Sequence, residues 1–147
     1  MWEIKNFNEL TVPELYQIMV LRAKVFVVAQ QRVYQDPDNR DQQAIHLFKH
    51  DQDGKVIAYA RVFLINDQQT VTFGRVVTSN KVRGQGIGGQ LLDKIMEVIR
   101  DNYPGKLIEI EAQEQVQGFY ERANFVSEGE PFIYKSTPHI KMVHQPL

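Results

Sequence analysis

Cysteine is absent from the 147 residues. That excludes a disulfide framework, a thiolate zinc site, an iron–sulfur cluster and a cysteine nucleophile. No apolar run approaches the roughly 18 residues of a membrane span. The opening Met1-Trp2-Glu3-Ile4-Lys5 also lacks the basic-then-apolar order of a secretion signal. A cytoplasmic protein with no membrane partner is therefore expected. A dominant charge is missing too: 17 basic residues face 18 acidic ones. A general nucleic-acid binder is usually more basic, so no nucleic-acid partner is expected. Repeats, linkers and low-complexity stretches are also lacking. What is present suits one domain over residues 1–147, with a radius of gyration of roughly 15 Å. With 43% hydrophobic and 24% charged residues, the chain can bury a real core.

The patterning predicts the order β-α-β-β-β-α-β-α-β-β. Trp2 and Ile4 alternate with Glu3 and Lys5 as in a short strand. Thr11-Val12-Pro13-Glu14 reads as a helix start, with a capping threonine, a glutamate three later and proline where its missing N–H costs nothing. Leu15, Ile18, Met19, Arg22 and Phe26 follow at helical spacing. Residues 30–43 are polar and irregular. Strands are expected over 44–48, 56–64 and 71–78, with Asp53-Gly54 as a hairpin turn. The run 56–64 is apolar on both alternating faces, as a central strand would be. A long helix over 86–102 buries Ile87, Leu91, Ile95 and Ile99, widened by Leu92 and Met96, and Pro104-Gly105 ends it. A strand over 107–112, a short helix over 117–123 and two strands broken at Thr137-Pro138 complete the chain. An antiparallel meander thus leads into one strand–helix–strand crossover, whose strands should be parallel. Ligands of such sheets sit at the carboxyl ends of the strands.

The most informative segment is Arg83-Gly84-Gln85-Gly86-Ile87-Gly88-Gly89. Glycine inside a helix costs about 0.8–1 kcal/mol relative to alanine. Several glycines at a helix start make sense where backbone must approach a ligand closely. The free N–H groups and partial positive charge there suit phosphate oxygens, and Arg83 adds a forked cation. The competing reading is that the glycines only let strand and helix pack closely. A kinase-type phosphate loop is rejected, because Gln90 follows Gly89 where lysine and Ser/Thr are needed. The dinucleotide pattern fits Gly84, Gly86 and Gly89, with Glu109 beyond. However, Ser79-Asn80-Lys81-Val82 separate strand from turn, where a dinucleotide fold runs the strand straight into the first glycine.

On Arg83-Gly84-Gln85-Gly86-Ile87-Gly88 the chain resembles the GNAT superfamily of acetyl-CoA-dependent N-acetyltransferases, whose phosphate signature is [R/Q]-x-x-G-x-[G/A]. Phe119-Tyr120 before Asn124-Phe125 matches a second landmark of that family, with asparagine for the usual glycine. Asparagine is the next best residue for a left-handed helix end. Three further segments resemble the ElaA-like branch: 21–30, Tyr34-Gln35-Asp36-Pro37-Asp38 and Pro138-His139-Ile140. Ala29 departs from that branch, which usually has glutamate there.

The resemblance implies an α/β fold of layered α+β type: a mixed, mainly antiparallel central sheet with one parallel crossover, flanked by helices. It implies acetyl-CoA as cosubstrate, no metal, and a small-molecule or peptide amine as acceptor. Val76, Val77 and Thr78 would offer strand backbone to the pantetheine arm. Arg83, Gly84, Gln85, Gly86, Ile87 and Gly88 would hold the pyrophosphate. Gln113 would reach pantetheine, and Tyr120 would be the general acid. A non-catalytic acyl-CoA-binding module and a dinucleotide-binding protein are the alternatives. The oligomeric state stays open between monomer and homodimer.

Other residues are read from position. From composition alone, Tyr120 can equally be a core aromatic. Glu109 and Glu111 share one face of the strand over 107–112, beside the expected crevice, and Glu111 is the candidate base. The competing reading is a solvated or cation-capped face. Arg22, Arg61 and Arg75 interrupt apolar stripes and need partners, expected among Asp36, Asp38, Asp41 or the strand glutamates. The run 36–41 resembles a calcium loop, but Arg40 occupies a ligand position and the following glycine is missing, so no metal is expected there. His139 either borders the acceptor pocket or bonds a neighbour.

Overall fold

Helix α1 (Val12–Arg22) begins as the sequence predicts. In the computed structural model, which describes residues 1–147, Thr11 Oγ1 accepts from the Glu14 N–H at 3.2 Å, and Glu14 Oε1 accepts from the Thr11 N–H at 2.9 Å. Such a box contributes about 1 kcal/mol. Lys5 Nζ reaches Glu14 at 2.9 Å and ties the helix start to the first strand. The helix does not stop at Arg22: Ala23–Ala29 continues it as a wider π-type coil. The amides of Gln30 and Arg32 reach back five residues, to the carbonyls of Val25 and Val27. The turns are re-aimed so that Phe26 stays buried.

The strands are β1 (Trp2–Asn6), β2 (Ile45–His50), β3 (Val56–Ile65), β4 (Thr70–Thr78), β5 (Leu107–Gln113), β6 (Val126–Tyr134) and β7 (Thr137–His144). They form one sheet in the order β1-β2-β3-β4-β5-β7-β6. Every pair is antiparallel except β4–β5, the crossover pair. The expected break at Thr137-Pro138 falls two residues earlier. Lys135 and Ser136 take the positive-φ turn, and Thr137 and Pro138 already pair within β7.

Two hydrophobic clusters lie on opposite faces of the sheet. Helix α2 (Ile87–Asn102) packs Leu91, Ile95 and Ile99 against Ala58, Ala60, Val62 and Val71 in the larger one. Val98 joins that stripe, while Met96 stays only half-buried. Helix α1 packs Ile18 and Leu21 against Phe48, Tyr59 and Val77 on the other face. β3 therefore contributes to both clusters, as its doubly apolar sequence predicts. Helix α3 (Gln117–Glu121) is short, and the turn that follows it closes at Asn124, whose φ of 72° is the left-handed conformation expected of it. No helix is long and apolar enough to cross a membrane.

Candidate active site

β4 and β5 pair only at Thr70↔Leu107 and Val71↔Ile108, and then part. A bulge drives the separation on one side. Arg75 has φ of 52°, and the β3–β4 register shifts between Tyr59 and Arg61. Such an insertion bends a strand and re-aims its side chains. On the other side β5 keeps its ladder with β7, from Ile108↔His144 to Gln113↔His139. The gap is a cleft of about 650 Å³. Val76, Val77 and Thr78 line it from β4, Glu111 and Gln113 from β5, and Arg83, Tyr120 and His139 complete it.

Gly84 through Gly88 lie outside this lining and continue from it past Arg83. Gly86, with φ of 74°, is the N-cap of α2 and supplies no side-chain cap. The N–H groups of Gly84, Gly86, Ile87, Gly88 and Gly89 find no acceptor in the protein; the first bond of the helix is from the Gln90 N–H to the Gly86 carbonyl, at 3.1 Å. Gln85 is the exception to the expected cradle. Its N–H already donates to the Val82 carbonyl at 3.3 Å, so it is no free amide donor.

The glycines bear directly on the packing reading of this turn. A Cβ placed on Gly84, Gly86, Gly88 or Gly89 would meet nothing within 4 Å. Close strand–helix packing therefore does not require them. Gly84 and Gly86 need glycine for their positive φ, but Gly88 and Gly89 have neither positive φ nor a close neighbour. Their missing side chains leave open space beside the start of α2. The turn over Asn80–Val82 also keeps β4 away from the first glycine, contrary to a dinucleotide fold.

Tyr120 is both core aromatic and cleft residue. It is 6% exposed, and its ring sits 5.9 Å from Phe73 and 5.8 Å from Phe125. Its hydroxyl makes no hydrogen bond to the protein and yet is not sealed away, because the residue lines the cleft. Burial pushes the phenol's pKa well above its ordinary value, so it stays protonated across the physiological range.

The two strand glutamates separate in role. Glu109 is capped by Lys141 at 3.3 Å, which Glu128 shares. Glu111 has no ion pair and lines the cleft. His139 bonds a neighbour, as one reading expects, and also lines the cleft. Its Nδ1 lies 2.8 Å from the Thr137 carbonyl, which can only accept, so Nδ1 carries the proton and Nε2 keeps its lone pair. The ring is 5% exposed, lines the cleft and sits between Phe132 and Tyr134. Burial lowers its pKa below the usual value, against the smaller effect of Thr137's hydrogen bond, so the ring is neutral at pH 7. Gln113 donates to Gln30 Oε1 at 3.1 Å and accepts from Gln115 at 2.8 Å.

Behind the cleft, three arginines meet three aspartates. Arg22 reaches Asp36 and Asp41, each at 2.8 Å. Arg61 reaches Asp41 at 2.9 Å and also pairs with Asp38. Arg75 reaches Asp36 at 2.8 Å. The expected partners are thus the aspartates and not the strand glutamates. Burial alone would raise the carboxyls of Asp38 and Asp41. Hydrogen bonds and charge from Arg61 and Arg22 outweigh it and hold both below the carboxylate range. Arg61 Nε is left as a buried donor with no partner, a cost the network carries. The network fastens the 36–41 loop to α1, β3 and the bulge of β4. Tyr34 joins it through a 2.8 Å bond to Asp36.

Sequence reading missed Arg32 and Tyr134 as cleft residues. Neither stands in a pattern that signals it, since each reaches the cleft through tertiary packing alone.

Residues 13–145 match the family of acetyltransferase (GNAT) domains. Protein ElaA of Escherichia coli is 34% identical over 149 residues, which span 98% of this chain and 95% of the relative. A UPF0039 protein of Synechocystis is 33% identical over 143 residues, spanning 97% of this chain and 93% of the relative. The crystal structure of an acyl-CoA N-acyltransferase from Pseudomonas aeruginosa superposes with a TM-score of 0.91 at 34% identity, covering 97% of each chain.

Proposed function

The chain belongs to the GNAT acetyltransferase family, in its ElaA branch, and on that premise we propose that it transfers the acetyl group of acetyl-CoA directly to a primary amine. The observation that carries this reading is the set of free amides at the start of α2, fronted by glycines whose missing side chains leave open space. That arrangement fits a diphosphate. Arg83 and the amides of Gly84, Gly86, Ile87 and Gly88 would hold it, and the unpaired edge of β4 at Val76–Thr78 would take the pantetheine arm as an added strand. Gln113 stands across the cleft from that edge.

Bound acyl-CoA supplies an activated thioester; the protein must manage two protons. A free amine of pKa near 10.4 costs about 4.6 kcal/mol to deprotonate at pH 7. Glu111 faces the cleft without a cation of its own and draws the ammonium in. His139 Nε2 takes the proton. It is better matched to an amine than a carboxylate is, and its lone pair is fixed by the bond from Nδ1 to Thr137. Tyr120, held protonated by burial and without a partner in the protein, gives its proton to the departing sulfur, and the second proton lost by the acylated nitrogen restores the phenol. A phenol facing a thiol is uphill by about 2 kcal/mol in water, which fixed proximity offsets. A strand N–H near Val77 is the donor we assign to the carbonyl oxygen.

Thiol release from acetyl-CoA, measured across a broad amine panel, tests the proposal. Tyr120→Phe should lower kcat by roughly 100-fold or more while leaving CoA affinity unchanged. Turnover equal to the unmodified protein at all pH values removes Tyr120 from the mechanism. CoA binding with no amine-dependent thiol release would leave a binding module instead.

A further inference from the structure

Arg32 differs from the other buried arginines. Arg22, Arg61 and Arg75 are matched by three aspartates. Arg32 is 6% exposed, and its bonds go only to neutral oxygens: Nε to the Lys135 carbonyl at 2.8 Å, Nη1 to Gln30 Oε1 at 3.1 Å and Nη2 to the Tyr134 carbonyl at 3.4 Å. Those bonds use three of the five donors a guanidinium offers. A buried cation without an anion is costly, and it is retained where an anion arrives from outside.

A second cation lies beside it. The Tyr34 ring has Arg32 at 4.8 Å, Arg75 at 5.6 Å and the Lys135 ammonium at 5.6 Å from its centre. Of these three only Arg75 has a carboxylate partner. Arg32, Tyr34, Tyr134 and His139 all line the cleft, and so does Glu111. The Tyr134 ring lies 5.2 Å from that of His139, so the cationic corner adjoins the groups that receive the amine. Burial, aided by the charge of Arg75, lowers the pKa of Arg32 against opposing effects from Tyr34, Tyr134 and Asp36.

From this placement we infer that the acceptor carries a carboxylate on the same small molecule as its amine, an amino acid or a close derivative, with the carboxylate seated on Arg32 and Lys135. The inference rests on the acyltransferase reading and names its acceptor class. The cleft then presents Arg32 to the carboxylate, with Lys135 beside it across the Tyr34 ring, and the adjoining Glu111 and His139 to the amine. The rings of Tyr34 and Tyr134 line the cleft beside Arg32 and His139. A forked guanidinium with free donors matches a carboxylate in plane, which a lone ammonium would not.

The test uses matched pairs that differ only in the carboxylate: L-lysine against cadaverine, L-phenylalanine against phenethylamine, and L-methionine against methioninamide. With acetyl-CoA, kcat/KM should favour the acid of at least one pair by roughly 10- to 100-fold, as a charge-assisted bond implies. Arg32→Gln should erase that preference through the acceptor KM, with CoA affinity unchanged. Arg32→Lys should keep part of it. Lys135→Gln, whose exposed side chain makes no hydrogen bond, should weaken it without loss of Tm. Equal rates across every pair, or an Arg32→Gln effect on CoA affinity instead, would overturn the inference while leaving the acyltransferase reading in place. Calorimetry of N-acetyl-L-lysine, N-acetyl-L-phenylalanine and N-acetyl-L-methionine against N-acetylphenethylamine, each with CoA present, reads the same site without turnover. Binding of the carboxylates alone, lost in Arg32→Gln, supports the inference even if no amine is turned over. Failure of all of them to bind the unmodified protein sinks it.

Discussion

Asp41→Asn is the sharpest probe of the charged loop behind the cleft. Asp41 Oδ1 accepts from Arg22 at 2.8 Å and from Arg61 at 2.9 Å, and Arg22 is fully buried. The substitution keeps the shape and one acceptor but removes the charge, leaving three guanidiniums against two carboxylates. Breaking a buried pair from one side costs about 3–5 kcal/mol. For a chain of this size that is a fall in Tm of roughly 10–15 °C. Chemical denaturation should give the same loss at unchanged m-value. Glu128→Gln, which removes an exposed partner of Lys141, is the control and should cost only a small fraction of this. The pH dependence follows from the direction of the shift. A carboxyl lowered from 3.8 on folding contributes stability that is complete above that value and is lost as pH falls through the folded value. The gap between the two proteins should therefore be constant from pH 7 down to about 4 and narrow below it. A loss under about 1 kcal/mol at pH 7, or a gap that widens in acid, would refute the claim that this charge holds the network together.

Two further outcomes follow from the geometry. Gly88→Ala places a methyl in open space within a helix, so stability should rise by about 0.5–1 kcal/mol; CoA affinity should nevertheless fall, and Gly86→Glu should reduce it by at least roughly 100-fold. A Gly88→Ala protein that binds CoA as well as before would remove Gly88 from the diphosphate site. In the pH profile of kcat/KM, the acidic limb should lie below 6.5, because burial lowers the His139 pKa and the ring must be neutral to take a proton. Calorimetric or NMR titration that places His139 above that value would contradict its assignment.

Much of the scaffold is written locally. Thr11, Glu14 and Pro13 announce α1, the apolar period of α2 announces its buried stripe, and Asn124 announces its own left-handed turn. The misfit arginines also pointed correctly to Asp36, Asp38 and Asp41, because a buried charge restricts its partners severely. What stayed hidden depends on distant packing. No period distinguishes the π-type coil at Ala23–Ala29 from ordinary helix. Nothing in Gly74-Arg75-Val76 signals that arginine, not glycine, takes the positive φ of the bulge. The insertion of β7 between β5 and β6 is equally silent, since a hairpin can dock by either strand. Arg32 finds its partners 102 and 103 residues away, at carbonyls that carry no side-chain signature. The glycine turn was legible as a helix start with free amides, but only the empty surroundings of Gly88 and Gly89 show that close packing does not require them.

The most direct measurement is a crystal structure of the protein with coenzyme A. Diphosphate oxygens should lie within hydrogen-bond reach of the amides of Gly84, Gly86, Ile87 and Gly88, with the thiol beside the Tyr120 hydroxyl between the parted strands. A ligand seated elsewhere, or crystals that take up none at millimolar concentration, would contradict the assignment.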